Sequence, residues 1–431
     1  MRVGSNQTGR SVAQAELEAA IDTRRARCAV IGLGYIGSAV ACALLDAGFE
    51  VRGYDRSHEA VARFTTGAGV RRLRGVSAST RDDILAGAEI VHVAVSVPCD
   101  RSRAPDLEAL RAAAASLRRH VAPTRLVILH STVPPGTTRW FAAECSDESD
   151  GAVTFVAHCP ERLQPGNPAW TIANTPHVVA GVDPASSRLA AHTLQHLSAE
   201  LLTASAPEVT ELAKLMENAF IAVGVALAGE VAELAHAVGV SGTEVAEAAA
   251  SKPFAYYGFF PGPGVGGHCI PNDLAMLAEL RGRLALDAPV LTAADRSLGH
   301  LPALAVGRLR SVMTGRGREL PGASILLVGL GYKPGSSDLT NTPAREVVRL
   351  LRDLGATPFY VDSGVHEFEV DSVPVERVTV EDFGGSRFAA ALVLAGDREL
   401  ASESLFLATD VVVDAGGGRG MGPLPGAADH L

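Results

Sequence analysis

A buried strand that runs through a glycine turn straight into a helix constrains the first third of this chain. Arg27–Ile31 reads as an apolar strand. Gly32-Leu33-Gly34-Tyr35-Ile36-Gly37 follows and opens a helix that Gly48 ends. Glu50–Tyr54 reads as a second strand, with Asp55 at its end. Strand, GxGxxG, helix, strand and acid in this order form the dinucleotide-binding βαβ pattern. Gly32 permits the tight turn, and Gly34 lets backbone approach a pyrophosphate. That group would sit at the helix N-terminus, against Tyr35, Ile36 and Gly37. Asp55 would accept hydrogen bonds from a ribose 2′-hydroxyl, which favours NAD over NADP. Arg56 beside it weakens that preference. The bland alternative is a glycine turn with no ligand.

Strands and helices continue to alternate. Strands are predicted over 90–95, 126–129 and 154–156, with a helix over 106–117 between the first two. Val97 and Pro98 follow the first of these strands and join the predicted cofactor set. Ser131-Thr132-Val133-Pro134-Pro135-Gly136-Thr137-Thr138 follows the second. It therefore lies at the carboxyl edge of the sheet, where ligands bind in open α/β folds. The third leads into Cys159-Pro160-Glu161-Arg162-Leu163 and aims Glu161 at the same edge. Residues 207–238 read as one long, alanine-rich amphipathic helix. Lys214 and Asn218 lie one turn apart on one face, with Glu211 nearby. By itself such a pair reads as a solvated helix face. Residues 276–312 look helical again. Residues 323–333 then repeat a strand with a Gly-Leu-Gly turn, but continue as Tyr332-Lys333-Pro334. Further strands are predicted over 357–361, 389–394 and 410–413.

The fold class is α/β: two Rossmann-like doubly wound domains joined by a long central helix. The boundaries expected are an irregular or disordered arm over 1–25, a dinucleotide domain over 26–206, a central helical region over 207–302 and a second α/β domain over 303–431.

Residues 260–273 read FPGPGVGGHCIPND. Proline removes backbone donors and glycine costs order, so the segment is no ordinary helix or central strand. It reads as a close-fitting loop that presents one thiol, Cys269, with a carboxylate, Asp273, four residues on. A thiol beside an ionisable partner is a candidate nucleophile; a buried cysteine in a glycine-proline loop is the equal alternative.

Composition sets outer bounds. The 431 residues, 47% hydrophobic and 20% charged, suffice for two or three packed domains. A net charge of −10 argues against nucleic acid or an anionic membrane as the main partner. The six cysteines, Cys28, Cys42, Cys99, Cys145, Cys159 and Cys269, are scattered. No metal site or disulfide framework is expected, and a reducing cytoplasmic setting fits. No stretch approaches the roughly 20 apolar residues of a membrane span, and residues 1–25 do not read as a signal peptide.

Six ordered segments, GLGYIG, STVPPGTT, PERLQPG, ELAKLMENAF, KPFAYYGFFPGPGVGGHCIPND and GYKPGSSDL, together resemble the UDP-glucose/GDP-mannose dehydrogenase family over about residues 27–420. Lys252-Pro253-Phe254 and His268-Cys269-Ile270-Pro271 look more like the UDP-N-acetylhexosamine 6-dehydrogenases of that family. The resemblance implies four-electron oxidation of a sugar CH2OH to a carboxylate with two NAD+ in turn. It also implies a homodimer built on the central helix and a C-terminal nucleotide-sugar domain. Residue by residue, it implies Cys269 as nucleophile, Lys214 and Asp273 as base and alkoxide partner with a shared water, and Glu161 or Asp273 as activator of the hydrolytic water. Asn218 and Thr132 would hold oxygens or that water. Glu161, Arg162, Leu163, Lys214, Asn218, Lys252, Phe260, Gly264, Gly266 and Lys333 would contact the substrate; Ser131 and Thr132 would contact NAD. Among the other polar residues near these segments, Cys159 reads as core, His130 as a strand-end structural residue, and His268 as either a thiol neighbour or a loop former.

This chain departs from the family at several points. Ile221 and Thr340 stand where arginine is frequent. Gly229 replaces a usual asparagine, and Leu274 a frequent proline. A lost guanidinium near a diphosphate would remove a charge-assisted contact of about 1.5–3 kcal/mol. The carrier is therefore open: UDP-glucose, another nucleotide sugar, a nucleoside-linked sugar, or binding without catalysis.

Overall fold

The computed structural model describes residues 3–67, 73, 76–100, 102–120, 122–146, 152–163, 167, 169–333, 335–380, 383, 388–395, 408–409, 411–416 and 429–430, with side chains from residue 10 to 416. Two compact units divide the chain: Met1–Met216 with Ala275–Leu280, and Glu217–Leu274 with Arg281–Leu431.

The first unit runs α1 (Val3–Asp22), β1 (Arg27–Ile31), α2 (Tyr35–Asp46), β2 (Glu50–Tyr54), α3 (His58–Thr66), β3 (Ala78–Ser79), β4 (Ile90–Val93), α4 (Glu108–His120), β5 (Thr124–Leu129), α5 (Thr137–Cys145), β6 (Val153–His158), β7 (His177–Gly181), α6 (Pro184–Leu194), β8 (Leu201–Thr203) and the start of α7 (Pro207–Ala237). Its eight strands lie in the order β3-β2-β1-β4-β5-β6-β7-β8. All pairs are parallel except β6 with β7. The order reverses between β1 and β4, which makes a crevice at their carboxyl ends. Both faces of the sheet are covered. Cys28 and Val30 of β1 enter one buried cluster, Ala29 and Ile31 the other. A strand buried on both faces reads as an unbroken apolar run, and β1 has that pattern.

Helix α7 carries the chain into the second unit. There follow α8 (Gly242–Ala250), α9 (Cys269–Leu284), α10 (Pro289–Gly315), β9 (Ser324–Val328), α11 (Ala344–Asp353), β10 (Thr357–Val361), β11 (Glu369–Val370), β12 (Val373–Pro374), β13 (Glu376–Arg377), β14 (Ala390–Val393), β15 (Val412–Asp414) and β16 (Asp429–His430). Six strands form a parallel sheet in the order β13-β10-β9-β14-β15-β16. It too is buried on both faces, with Ile325 and Leu327 in one cluster and Leu326 and Val328 in the other. The α/β class with two doubly wound sheets is therefore as the sequence indicates.

The second unit repeats the turn of the first. Gly32 (φ 91°) accepts no side chain, because a Cβ would meet the Ala94 carbonyl oxygen at 2.5 Å; Gly329 (φ 75°) is in the same position against Ala395, at 2.0 Å. The Leu33 N–H donates to Asp55 Oδ2 at 2.8 Å, and the Leu330 N–H to Asp362 Oδ2 at 2.7 Å. The copies part at the next glycine. Around Gly34 nothing lies within 4 Å of a Cβ position, whereas at Gly331 the Ser336 carbonyl oxygen would sit 1.7 Å away.

Three expectations change. The arm over 1–25 is helical over Val3–Asp22 rather than irregular. Its apolar residues recur only once per turn, so no hydrophobic run marks it. Ala13, Leu17 and Ile21 are nevertheless buried. Arg10 pairs with Asp183 and lies 4.7 Å over the Phe155 ring, and Asp22 meets His192 at 2.8 Å. The single helical stretch expected over 276–312 is broken at Ala285, a left-handed cap (φ 51°) between α9 and α10. Helix α7 is, by length and composition, long and apolar enough to cross a membrane, which the sequence reading did not anticipate. Of the strand predicted over 410–413, Asp410 lies outside the described residues.

Candidate active site

In the first unit the glycine turn is shaped for a dinucleotide. Gly34 caps α2 in an extended conformation (φ −70°) without a side-chain cap, so the helix amides keep their bonding capacity. Gly37 permits the helix to pass the turn, since a Cβ there would lie 1.8 Å from the Gly32 carbonyl oxygen. Tyr35 is half exposed, and Ile36 packs partly on the core. Asp55 also holds the turn, accepting from the Ser57 N–H at 2.8 Å, and Arg56 beside it is exposed. Open space at Gly34, amides at a helix start and a carboxylate ending β2 fit NAD. Val97 is buried with Leu110 and Val133, so its side chain serves the core; Pro98 is exposed.

The segment after β5 is held from α7. Buried Glu211 accepts from the Gly136 and Thr138 N–H groups at 2.7 and 2.8 Å and from the Thr138 hydroxyl at 2.6 Å. These amides open α5, so the carboxylate caps that helix. Burial pushes the Glu211 carboxyl upward against those three donors. Ser131 donates to the Val95 carbonyl at 2.6 Å, and Thr132 is part-buried beside it. Lys214, one turn beyond Glu211, is half-buried rather than on a solvated face.

Glu161 is buried, at 6% exposure. Its Oε1 accepts from the Arg162 and Leu163 N–H groups at 2.7 and 3.0 Å, while Oε2 has no partner among the described residues. A buried carboxylate oxygen left unpaired is costly, and marks a position for water or ligand. The Arg162 guanidinium donates to the Pro176 carbonyl, and Leu163 leans on the core. Gln164, Pro165 and Gly166 of that motif lie outside the described residues.

In the second unit Cys269 is the first residue of α9, where the helix N-terminus favours a thiolate. It is exposed. Burial drives three other thiols away from ionisation: Cys145 is pushed up to about 12, and Cys28 and Cys159 further. Asp273 lies one turn along α9 and is buried; its Oδ2 accepts from the Asn218 amide at 2.5 Å. The glycines before the thiol are required by contacts within this unit. Gly266 would press a Cβ into Tyr332 at 2.5 Å, Gly267 (φ 75°) would meet the Tyr332 ring at 2.9 Å, and Gly264 (φ 137°) lies against Pro343. The Gly267 N–H donates to the Thr340 carbonyl at 2.7 Å, and the Asn341 amide donates to the Gly267 carbonyl at 2.9 Å. Phe260 and Lys333 are part-buried; Lys252 is exposed, with its ammonium 5.0 Å over the Phe254 ring. Among the departures, Gly229 admits Leu301, which would lie 2.4 Å from a Cβ, and Leu274 is core.

Sequence reasoning missed the Glu211 cap, the Asn341 clamp and a run of histidines on β4 to β7. Cys159 is core as expected, fully buried with Sγ 3.8 Å from His177 Nδ1. His92, His130 and His158 are all buried. Desolvation pushes His92 down to about 3 and His158 to about 4, and lowers His130 as well.

The switch-point crevice, the glycine turn and the carboxylate of β2 define an NAD-dependent α/β dehydrogenase. Residues 26–200 match the NAD binding domain of the UDP-glucose/GDP-mannose dehydrogenase family, and residues 208–297 its central domain. The chain is 32% identical to the UDP-N-acetyl-D-mannosamine dehydrogenase of Pyrococcus horikoshii over 76% of its own length and 81% of the relative's. It is 28% identical to the UDP-N-acetyl-D-glucosamine 6-dehydrogenase of Pseudomonas aeruginosa, covering 76% and 80%. The solved UDP-D-ManNAc dehydrogenase from Pyrococcus horikoshii superposes with a TM-score of 0.82 at 28% identity, over 94% of this chain and 98% of that one. The chain belongs to the UDP-glucose/GDP-mannose dehydrogenase family and is an NAD-dependent oxidoreductase acting on nucleotide sugars.

Two outcomes are expected from this geometry. Gly34→Val fills open space, so it should raise the Kd for NAD+ about tenfold or more with little change in melting temperature, whereas Gly37→Ala should destabilise the fold itself. Equal melting losses in the two variants would contradict the geometry. The depressed histidines mean that the unfolded chain takes up protons first, so stability present above about pH 6.5 is lost as pH falls towards 4. Urea unfolding at pH 5.5 should show about 4 kcal/mol less stability than at pH 7.5, at roughly 1.4 kcal/mol for each of the three histidines.

Proposed function

We propose that this chain oxidises the C6 hydroxymethyl of a UDP-N-acetylhexosamine to the uronic acid through a covalent intermediate on Cys269. The observation that carries the reading is one exposed thiol at a helix start, one turn from an Asp273 carboxylate that Asn218 fixes.

NAD+ supplies the hydride acceptor twice. In the first oxidation the substrate hydroxyl loses its proton to Lys214 and Asp273 through a water, while C6 loses a hydride. The Cys269 sulfur adds to the resulting aldehyde and gives a thiohemiacetal, which keeps the aldehyde from escaping. Loss of a second hydride and a proton leaves a thioester. Glu161, through its unpartnered Oε2, takes a proton from water as that water adds to the thioester carbonyl. The carbon–sulfur bond then breaks, thiolate leaves and the carboxylate is released. The balance is CH2OH plus two NAD+ and water to carboxylate, two NADH and three protons. Asn218 and Thr132 orient oxygens, and Ser131, with the turn Gly32–Gly37 and Asp55, holds the cofactor. Arg162, Leu163, Lys252, Phe260, Gly264, Gly266 and Lys333 hold the substrate. The N-acetylhexosamine assignment follows the relatives' named substrates. Thr340 and Ile221, where arginine is frequent in the family, favour as a second reading the same reaction on another nucleotide sugar or a nucleoside-linked sugar.

The domain roles follow: residues 26–206 for NAD, 207–302 for dimerisation and the thiol loop, 303–431 for the nucleotide sugar. Exposed Met216, Phe220, Leu227 and Leu234 along α7 support a homodimer built on that helix. Sedimentation should give a dimer, and Phe220→Glu should shift it to monomer; a wild-type monomer would remove this reading.

Product analysis with UDP-N-acetylhexosamines, other nucleotide sugars and glycosyl nucleosides should give two NADH per acid. Cys269→Ala should abolish acid formation, and Cys269→Ser should stall before release. One NADH with free aldehyde, or unaltered acid formation by the alanine variant, would sink the mechanism.

A further inference from the structure

Four adjacent strands of the first sheet carry a histidine at or near the carboxyl edge: His92 on β4, His130 just after β5, His158 ending β6 and His177 opening β7. The His92 and His130 rings lie with centroids 5.2 Å apart and planes 7° apart. His92 Nδ1 lies 2.9 Å from His130 Nε2, and His130 Nδ1 lies 2.8 Å from the Cys159 carbonyl oxygen. A carbonyl only accepts, so His130 Nδ1 carries the proton. His130 Nε2 is then an acceptor and takes the bond from His92 Nδ1–H. This assigns one tautomer to each ring and leaves His92 Nε2 a buried lone pair without a partner among the described residues.

The bonds these rings make lie where the strand ladder gives out. β5 and β6 pair up to Leu129 and His158. Beyond them Pro160 has no N–H to offer. His130 Nδ1–H takes the Cys159 carbonyl, His158 Nε2 lies 3.2 Å from the Ser131 carbonyl, and the Glu161 N–H reaches the His130 carbonyl at 3.3 Å. Two histidine side chains and the backbone N–H of Glu161 thus continue the pairing as far as Glu161, whose Oε1 is tied to its own turn and whose Oε2 has no partner among the described residues.

We propose that His130, held in one tautomer by His92, is a positioning residue for Glu161, fixing the carboxylate that activates the hydrolytic water. The inference rests on the reading of Glu161 given above. It follows that loss of the His130–Cys159 bond slows thioester hydrolysis more than either hydride transfer. Burial keeps both rings neutral at physiological pH, so their bonding pattern is constant through turnover.

Two amide substitutions separate the ring nitrogens. In His130→Asn the amide reaches the position of Nδ1 and keeps the Cys159 bond. In His130→Gln it reaches the position of Nε2 and loses that bond while still accepting from His92. With a UDP-N-acetylhexosamine that wild type turns over and NAD+, His130→Gln should show a burst of two NADH per active site. A steady rate about 10- to 100-fold below wild type should follow, with acyl-enzyme visible by intact-protein mass. KM for NAD+ should stay within about twofold, and His130→Asn should recover most of the steady rate. Measurements are normalised to folded enzyme and made well below each variant's melting temperature. Glu161→Gln is the reference. If it accumulates acyl-enzyme and His130→Gln does not, the positioning role is overturned. If Glu161→Gln itself accumulates none, the reading of Glu161 fails, and the inference with it. Equal losses in both amide variants, without acyl-enzyme, would show a merely structural histidine.

Discussion

The close approach of a strand-ending glycine to the carbonyl of the neighbouring strand underlies both halves of this protein. At Gly32 a Cβ would lie 2.5 Å from the Ala94 oxygen, and at Gly329 2.0 Å from that of Ala395. Each contact sits where the strand order reverses. It lets the chain leave the sheet sharply and turn back along its face. The helices then cover two apolar faces, as the alternation of Cys28 and Val30 against Ala29 and Ile31 requires. A side chain at either glycine would force the strands apart and open the crevice floor.

Much of this was legible in the sequence, for a physical reason. β1 is an unbroken buried run after Arg27, because burial on both faces leaves no room for polar interruption, whereas β2 shows in the alternation of Val51 and Gly53 with Glu50 and Arg52. The glycine turn and the acid ending β2 were equally clear. What escaped depends on partners far away in sequence. Among the described side chains of helix α1 the buried ones fall at every fourth position, and its polar contacts to Asp183 and His192 cannot be read locally. β8 has three residues and lies at the sheet's edge, and β7 beside it meets β6 antiparallel, which no simple alternation suggests.

The site divides in the same way. Cys269 and Asp273 were candidates from residue type and spacing, Asn218 only through the family resemblance, and the hydrogen bond from the Asn218 amide to Asp273 links the two segments. Glu161 was placed correctly at a strand end, but its unpaired oxygen is visible only in three dimensions. Asn341 drew no attention in the sequence. It is in fact a left-handed residue (φ 47°) whose amide holds the Gly267 carbonyl, two residues before the thiol. The backbone of Thr340, where arginine is frequent in the family, holds the same loop, its carbonyl accepting from the Gly267 N–H. His92 and His130 are 38 residues apart and meet only because their strands are neighbours.

The doubled turn has a further meaning. In the first unit the second glycine faces open space. In the second unit its counterpart, Gly331, is stoppered by the Ser336 carbonyl oxygen. The protein thus carries one socket and one plugged duplicate of it. A dinucleotide diffusing in finds a single berth although the architecture was laid down twice. The duplicate is free to specialise on a different guest without ever competing for the coenzyme.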